Sequence, residues 1–151
     1  MEANNDQKDS MVFQLARFIS FYDVYVNLCQ SKSNYKYLIS RELSKESTLI
    51  LLLSDLYALF DDQKNAQSLK KISFKNTEVE NLRVKITNEW VVIETKIKII
   101  RHNIGFHTSE DIKGIETGVS QFKDLGDEPF KLINDLIELY YLLRIDYYLN
   151  Y

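Results

Sequence analysis

The stretch TEVENLRVKITNEWVVIETKIKIIRHNI, Thr77 to Ile104, decides how the rest of the chain is read. Its apolar residues Val79, Leu82, Ile86, Trp90, Ile93, Ile97, Ile100 and Ile104 recur at steps of three and four, so that they share one face of an α-helix. This near-heptad spacing is the seam of a bundle of nearly parallel or antiparallel helices. Thr77 and Glu80 form the T-x-x-E of a capping box at its start, and Gly105 stands where the helix should end.

Working outward, the same periodicity appears on both sides. Met11, Val12, Leu15, Phe18, Ile19, Tyr22 and Val26 define a first helix capped by Ser10 and ending near Ser31. A second helical stretch runs from about Asn34 to Phe60, closing with the nearly continuous LILLLSDLYALF, and a helix apolar on most of its circumference is central or lies at an interface. The polar connection DDQKNAQSLKKISFKN holds a short helical turn around Leu69 and Ile72. Three of the four glycines fall between 108 and 126, which reads as a loop with a short helix from Ile115 to Phe122. Asp127 caps the last helix, with Pro129 in its first turn and Phe130, Ile133, Leu136, Ile137, Tyr140, Leu143 and Tyr147 on its face. The expected fold is all-α: an up-and-down antiparallel four-helix bundle with short additional helices, residues 1–9 being a flexible lead-in and 10–151 one domain.

Composition narrows the function classes. Apolar residues make up 45% of the 151 and charged residues 27%, the balance of a globular chain that buries a core without disulfides. With four glycines and one proline the sequence lacks the turn residues of an all-β fold. The most apolar run, Leu49 to Leu53, is far shorter than the roughly 20 residues needed to span a bilayer, so no membrane partner is expected. A lone Cys29, read as a buried thiol, and the lack of a leader pattern point to the cytoplasm. The net charge of −3 excludes nucleic-acid coating by overall basicity, and leaves RNA contact to a local cluster.

No cofactor is expected. Phosphate-binding glycine loops and the serine-hydrolase elbow are absent from the sequence. Two histidines and one cysteine lack metal-ligand spacing, so no metal is expected, and the acid pairs Glu42 with Glu46 and Asp61 with Asp62 read as solvated faces. The tyrosines Tyr22, Tyr25, Tyr140, Tyr141, Tyr147 and Tyr148 lie on or beside apolar stripes and read as packing. What remains is RHNIGFH, Arg101 to His107, preceded by the cations Lys96 and Lys98, which raise the local positive potential and would contact RNA. Histidine exchanges a proton near neutral pH, and an arginine fork holds a phosphate and the charge developing on it. On one straight helix Arg101 and His107 would stand roughly 9 Å apart along the axis and about 120° apart in azimuth, so their meeting requires unwinding at Gly105 or a second copy of the chain. The bland alternative is an Arg101 salt bridge to Glu94 or Asp111 with His107 closing the helix C-terminus.

Arg101, His102 and His107, with five residues between the first and last, match the R-x(4–6)-H signature, and here the chain resembles the HEPN family of helical bundles. The order LLLSDLYALFDD, SLKKI and then a long helix ending in RHNIGFHTSED is similar to the abortive-infection branch of that family, over some 120 residues from about Asn34 onward. The resemblance implies a metal-independent endoribonuclease, a toxin or antiphage effector, in which the 2′-hydroxyl attacks the neighbouring phosphate. It implies Arg101 and His107 as catalytic residues with His102 and Asn103 in support, and a site composed from two protomers of a homodimer. An antitoxin or another defence-system protein is the further partner implied. Ser109 departs from the tyrosine that toxins silenced by a nucleotidyltransferase carry two residues after the histidine. A non-catalytic HEPN-like module binding RNA or a protein is the alternative. The dimer is expected to form on the third helix and the Leu49–Phe60 region.

Overall fold

The computed structural model describes residues 4–30, 38–63, 67–104 and 112–149. Among them stand five α-helices: α1 Asn5–Gln30, α2 Leu38–Ala58, α3 Thr77–Ile104, α4 Ile112–Leu125 and α5 Glu128–Leu149. The all-α expectation holds, and among the described residues no helix is long and apolar enough to cross a membrane.

Helix α3 is the element around which the others are placed. Val79, Ile86, Trp90, Ile93, Ile97 and Ile100 of its stripe are buried, while Leu82 packs half-buried at the edge. It is covered by α2, α4 and α5; α1 completes the contacts by lying against α2 and α5. The directions follow from side-chain pairs. Phe60 stacks on Trp90 and Tyr57 lies under Arg101, so α2 descends as α3 ascends. Arg17 of α1 pairs with Asp55 of α2 at 3.0 Å, while further back the Gln67 side chain donates to the Gln7 carbonyl. Lys85 lies 2.7 Å from Asp135, and Lys96 lies 3.8 Å from Glu128, so α5 is antiparallel to α3.

Three boundaries differ from the sequence expectation, each for a local reason. The first helix begins at Asn5 rather than after Ser10, because Asn4 and Gln7 cap it reciprocally: Gln7 N–H donates to Asn4 Oδ1 at 2.8 Å and Asn4 N–H donates to Gln7 Oε1 at 3.0 Å. At the start of α3 the cap is Asn76, whose Oδ1 accepts from the N–H groups of Glu78 and Val79, rather than Thr77. Glu80 instead accepts the Phe74 N–H and pairs with Arg83, which holds its carboxyl below the usual carboxylate range. Arg83 also donates to the Leu69 carbonyl, tying the preceding connection to α3. Leu69, Ile72 and Phe74 of that connection are buried, and a hydrogen-bonded turn over 69–71, closed by the Lys71 N–H on the Ser68 carbonyl, stands where a short helical turn was expected.

The third difference is the largest. The segment read as mostly loop holds α4, fourteen residues long, lying along α3. Gly126 then adopts a left-handed backbone with φ 57°, the usual conformation of a residue ending a helix. Asp127 stands just before α5, and its carbonyl accepts from the N–H groups of Phe130 and Lys131 in the first turn. The 2.9 Å bond from Lys96 Nζ to the Asp124 carbonyl, next to its approach to Glu128, pins this junction onto α3. Cys29 corrects another expectation: its thiol is exposed, and burial together with a hydrogen bond to Cys29 pushes the Tyr25 phenol up to about 12.

The seam between α3 and α5 generates a pH prediction. Burial, and then the hydrogen bond and negative charge of Asp135, raise the Glu89 carboxyl above its ordinary value of 4.5, against the pull of Lys85 and Lys131. Folded protein therefore holds this proton more tightly than the unfolded chain. The stability that this contributes is full below the ordinary value and is lost as pH rises through the raised one. Glu89→Gln removes the dependence, so its thermal midpoint should rise relative to the wild type between about pH 4 and pH 7. A difference that stays constant over that range contradicts the assignment.

Candidate functional site

Near its C-terminal end, α3 has one face committed to the core. Ile97 and Ile100 are buried, which fixes the rotation of the last turns. At about 100° per residue, Lys98, Arg101 and His102 then fall within about 100° of arc on the flank. Together with Ile99, Asn103 and Tyr57 of α2 they line a cleft of about 360 Å³.

The cleft stands on an aromatic column. Phe60 and Trp90, both fully buried, stack with centroids 4.4 Å apart and planes 5° from parallel. Tyr57 meets Trp90 edge-on at 6.0 Å, and the Arg101 guanidinium carbon lies 4.9 Å above the Tyr57 ring centroid. This is a cation–π contact, made by the half-buried side of the arginine. Among the described residues Arg101 has no carboxylate partner. Glu94, one of the two partners that the alternative reading offered, accepts instead from Lys70 at 2.8 Å, and Lys70 also reaches Asp62 at 3.0 Å. Burial opposes the Lys70 charge, but the hydrogen bonds to Glu94 and Asp62 outweigh it and raise its pKa.

The sequence-derived residues separate into three groups. Arg101, His102, Asn103 and Lys98 come together in the cleft. Within it Lys98 and His102 are exposed, whereas Asn103 turns its Nδ2 back to the Ile99 carbonyl at 3.0 Å and so braces the last turn of its own helix. Lys96 does not join them: it holds the α4–α5 junction through Asp124 and Glu128. His107, Ser109 and Asp111 lie outside the described residues, as does Gly105. Tyr57 was missed, since in LYALF it reads as one more core aromatic; only the antiparallel pairing of α2 with α3 brings it beneath Arg101.

Chemically, the cleft offers a guanidinium whose N–H edges are not taken up by a described carboxylate, an ammonium at Lys98, an imidazole at His102 and an apolar wall from Tyr57 and Ile99. Cations at a helix C-terminus are also favoured by the helix dipole, which accounts for part of the clustering without any ligand. A guanidinium fork beside an ammonium fits a phosphate or phosphodiester better than any neutral group. Among the described residues no group of three or more histidine, cysteine, aspartate or glutamate side chains could hold a metal ion. Asp61 and Asp62 are drawn into the connection, the first accepting from the Gln63 N–H and the second pairing with Lys70.

The two lysines should separate in experiment. Lys98→Ala should leave the thermal midpoint within experimental scatter and weaken binding of inorganic phosphate. Lys96→Ala should cost about 1 kcal/mol of stability through the lost junction and leave phosphate binding unchanged. Equal loss of phosphate binding in both variants contradicts this division, as measured by calorimetric titration and thermal unfolding. Compared with protein-family models, with curated proteins and with solved structures, the chain matches none.

Proposed function

We propose that the chain is a HEPN-type domain acting as a metal-independent endoribonuclease. The observation that carries the reading is the cleft at the end of α3, where Arg101, His102 and Asn103, three of the four site residues that the resemblance implies, line one concavity with Lys98. The contacts of α1, α2, α3 and α5, each against two others in turn, agree with the four-helix up-and-down bundle of that family.

In this reading Arg101 clamps the scissile phosphate and stabilises the charge that develops on its oxygens. The 2′-hydroxyl loses its proton as its oxygen attacks phosphorus; the bond to the 5′-oxygen breaks, and that oxygen leaves with a proton. The products are a 2′,3′-cyclic phosphate and a 5′-hydroxyl. His107 serves as the proton-transfer group, with His102 as a lesser support. No cofactor enters the scheme.

A homodimer supplies the second half of the site. Support comes from α3, where Val91 and Val92 are 62% and 65% exposed and Val84 joins them at the surface. The Leu49–Phe60 region, expected to share the interface, is instead largely engaged inside the protomer, with Leu52, Leu53, Leu56, Leu59 and Phe60 buried and Leu51 left at the surface. The proposed interface therefore rests mainly on α3. An antitoxin or another defence-system protein acting in the cytoplasm completes the proposal.

Purified protein, a dimer by light scattering at micromolar concentration, should cleave single-stranded RNA in excess EDTA. Arg101→Ala and His107→Ala should each lower the rate by about a hundredfold or more with helix content unchanged, and His102→Ala should lower it less. Abolition by EDTA, or the same trace activity in wild type and both variants, overturns the ribonuclease reading in favour of a non-catalytic RNA- or protein-binding module.

A further inference from the structure

We infer that Tyr57 is the positioning residue of the cleft: its ring holds the Arg101 guanidinium over its face and sets it, before any ligand arrives, in the attitude that receives a phosphodiester. The inference rests on the reading of Arg101 as a phosphate clamp, and concerns how that clamp is held.

An arginine side chain has several rotatable bonds, and ordering it on binding would cost much of what two charge-assisted hydrogen bonds supply. Arginines are commonly ordered by a carboxylate. That device has a drawback at an anion site, because the carboxylate occupies the N–H fork and cancels the charge. Among the described residues Arg101 has no such partner; Glu94, about two turns earlier on α3, is paired with Lys70. What lies against Arg101 is the face of Tyr57, at 4.9 Å. A π-face orders the guanidinium through its flat side and leaves the N–H edges and the full positive charge available.

The support beneath Tyr57 lies in the core. Its ring abuts Trp90 edge-on, Trp90 stacks on Phe60, and both of these are fully buried in the core. Arg101 is therefore indexed to the interior through three aromatic rings rather than through a flexible surface contact. Tyr57 and Arg101 both line the cleft, so a ligand entering it meets the ordered guanidinium directly. The arrangement uses the ring and not the hydroxyl, from which it follows that phenylalanine should serve and an aliphatic residue of similar bulk should not.

The test uses full-length protein and two variants, Tyr57→Phe and Tyr57→Leu, with inorganic phosphate as the probe. The Arg101 Nε–H proton signal, identified by its loss in Arg101→Lys, should be displaced upfield by the ring current in the wild type and in Tyr57→Phe, and should return to the ordinary arginine position in Tyr57→Leu. Phosphate affinity should fall about tenfold in Tyr57→Leu and stay within about twofold in Tyr57→Phe. For RNA cleavage the same loss should appear, and be rescued by phenylalanine. An undisplaced Arg101 signal in wild-type protein overturns the inference without need of any variant, so a failure of Tyr57→Leu to fold does not shelter it. Unchanged phosphate affinity in folded Tyr57→Leu overturns it equally. Absence of cleavage by wild type, with the displaced signal and the affinity loss intact, removes the ribonuclease reading and leaves the positioning of Arg101 standing.

Discussion

Burial of one stripe on α3 is the constraint from which the remaining architecture follows. Each large apolar side chain removed from water contributes about 1.5–3 kcal/mol, and six such residues on a single 28-residue helix require cover along its whole length. Neither α2 nor α5 spans that length alone. The cover is divided: α2 and the buried Leu69, Ile72 and Phe74 of the connection serve one side, and α4 followed by α5 serves the other. The break between α4 and α5 falls at Gly126, and Lys96 closes it with a bond to the last turn of α4 and a contact to the first turn of α5.

The same burial dictates where the polar end of α3 presents its side chains. Once Ile97 and Ile100 face inward, helical geometry leaves no freedom in the azimuth of Lys98, Arg101 and His102. The last turn of α2 arrives alongside because Phe60 must reach Trp90, and Tyr57, three residues earlier, is thereby laid under Arg101. A core contact thus places a cleft residue, which is why the cation–π pair and the aromatic column belong to one construction.

Much of this was legible in the sequence, and the parts that were not share a cause. The three-and-four spacing of α3 reports the helix and its buried face, because periodicity and burial are the same fact seen twice. The α4 helix was read too short, Ile115 to Phe122 against Ile112–Leu125, since Gly114 and Gly118 each weaken a helix by about 1 kcal/mol and read as loop signals; packing along α3 overrides that preference, and Gly118 ends up buried. The cap at Asn76 lies one residue before the motif chosen from the sequence, and the cap at Asn4 six residues before Ser10, where several good capping residues stand close together. At the candidate site, Arg101, His102, Asn103 and Lys98 were found from their order along the chain. The separation of Lys96 from Lys98, and the role of Tyr57, depend on partners 28 and 44 residues away in sequence and carry no local signal. His107 lies outside the described residues, so its part rests on the motif alone.

The central claim, that Arg101 belongs to a phosphodiester-cleaving site needing no metal, is tested most directly by the chemistry of the cut ends. Single-stranded RNA incubated with purified protein in excess EDTA should yield fragments ending in a 2′,3′-cyclic phosphate, with a 5′-hydroxyl on the other side of each cut, as mass spectrometry of the fragments would show. Fragments bearing a 5′-phosphate and a 3′-hydroxyl, the mark of water attacking in place of the 2′-hydroxyl, would contradict the account.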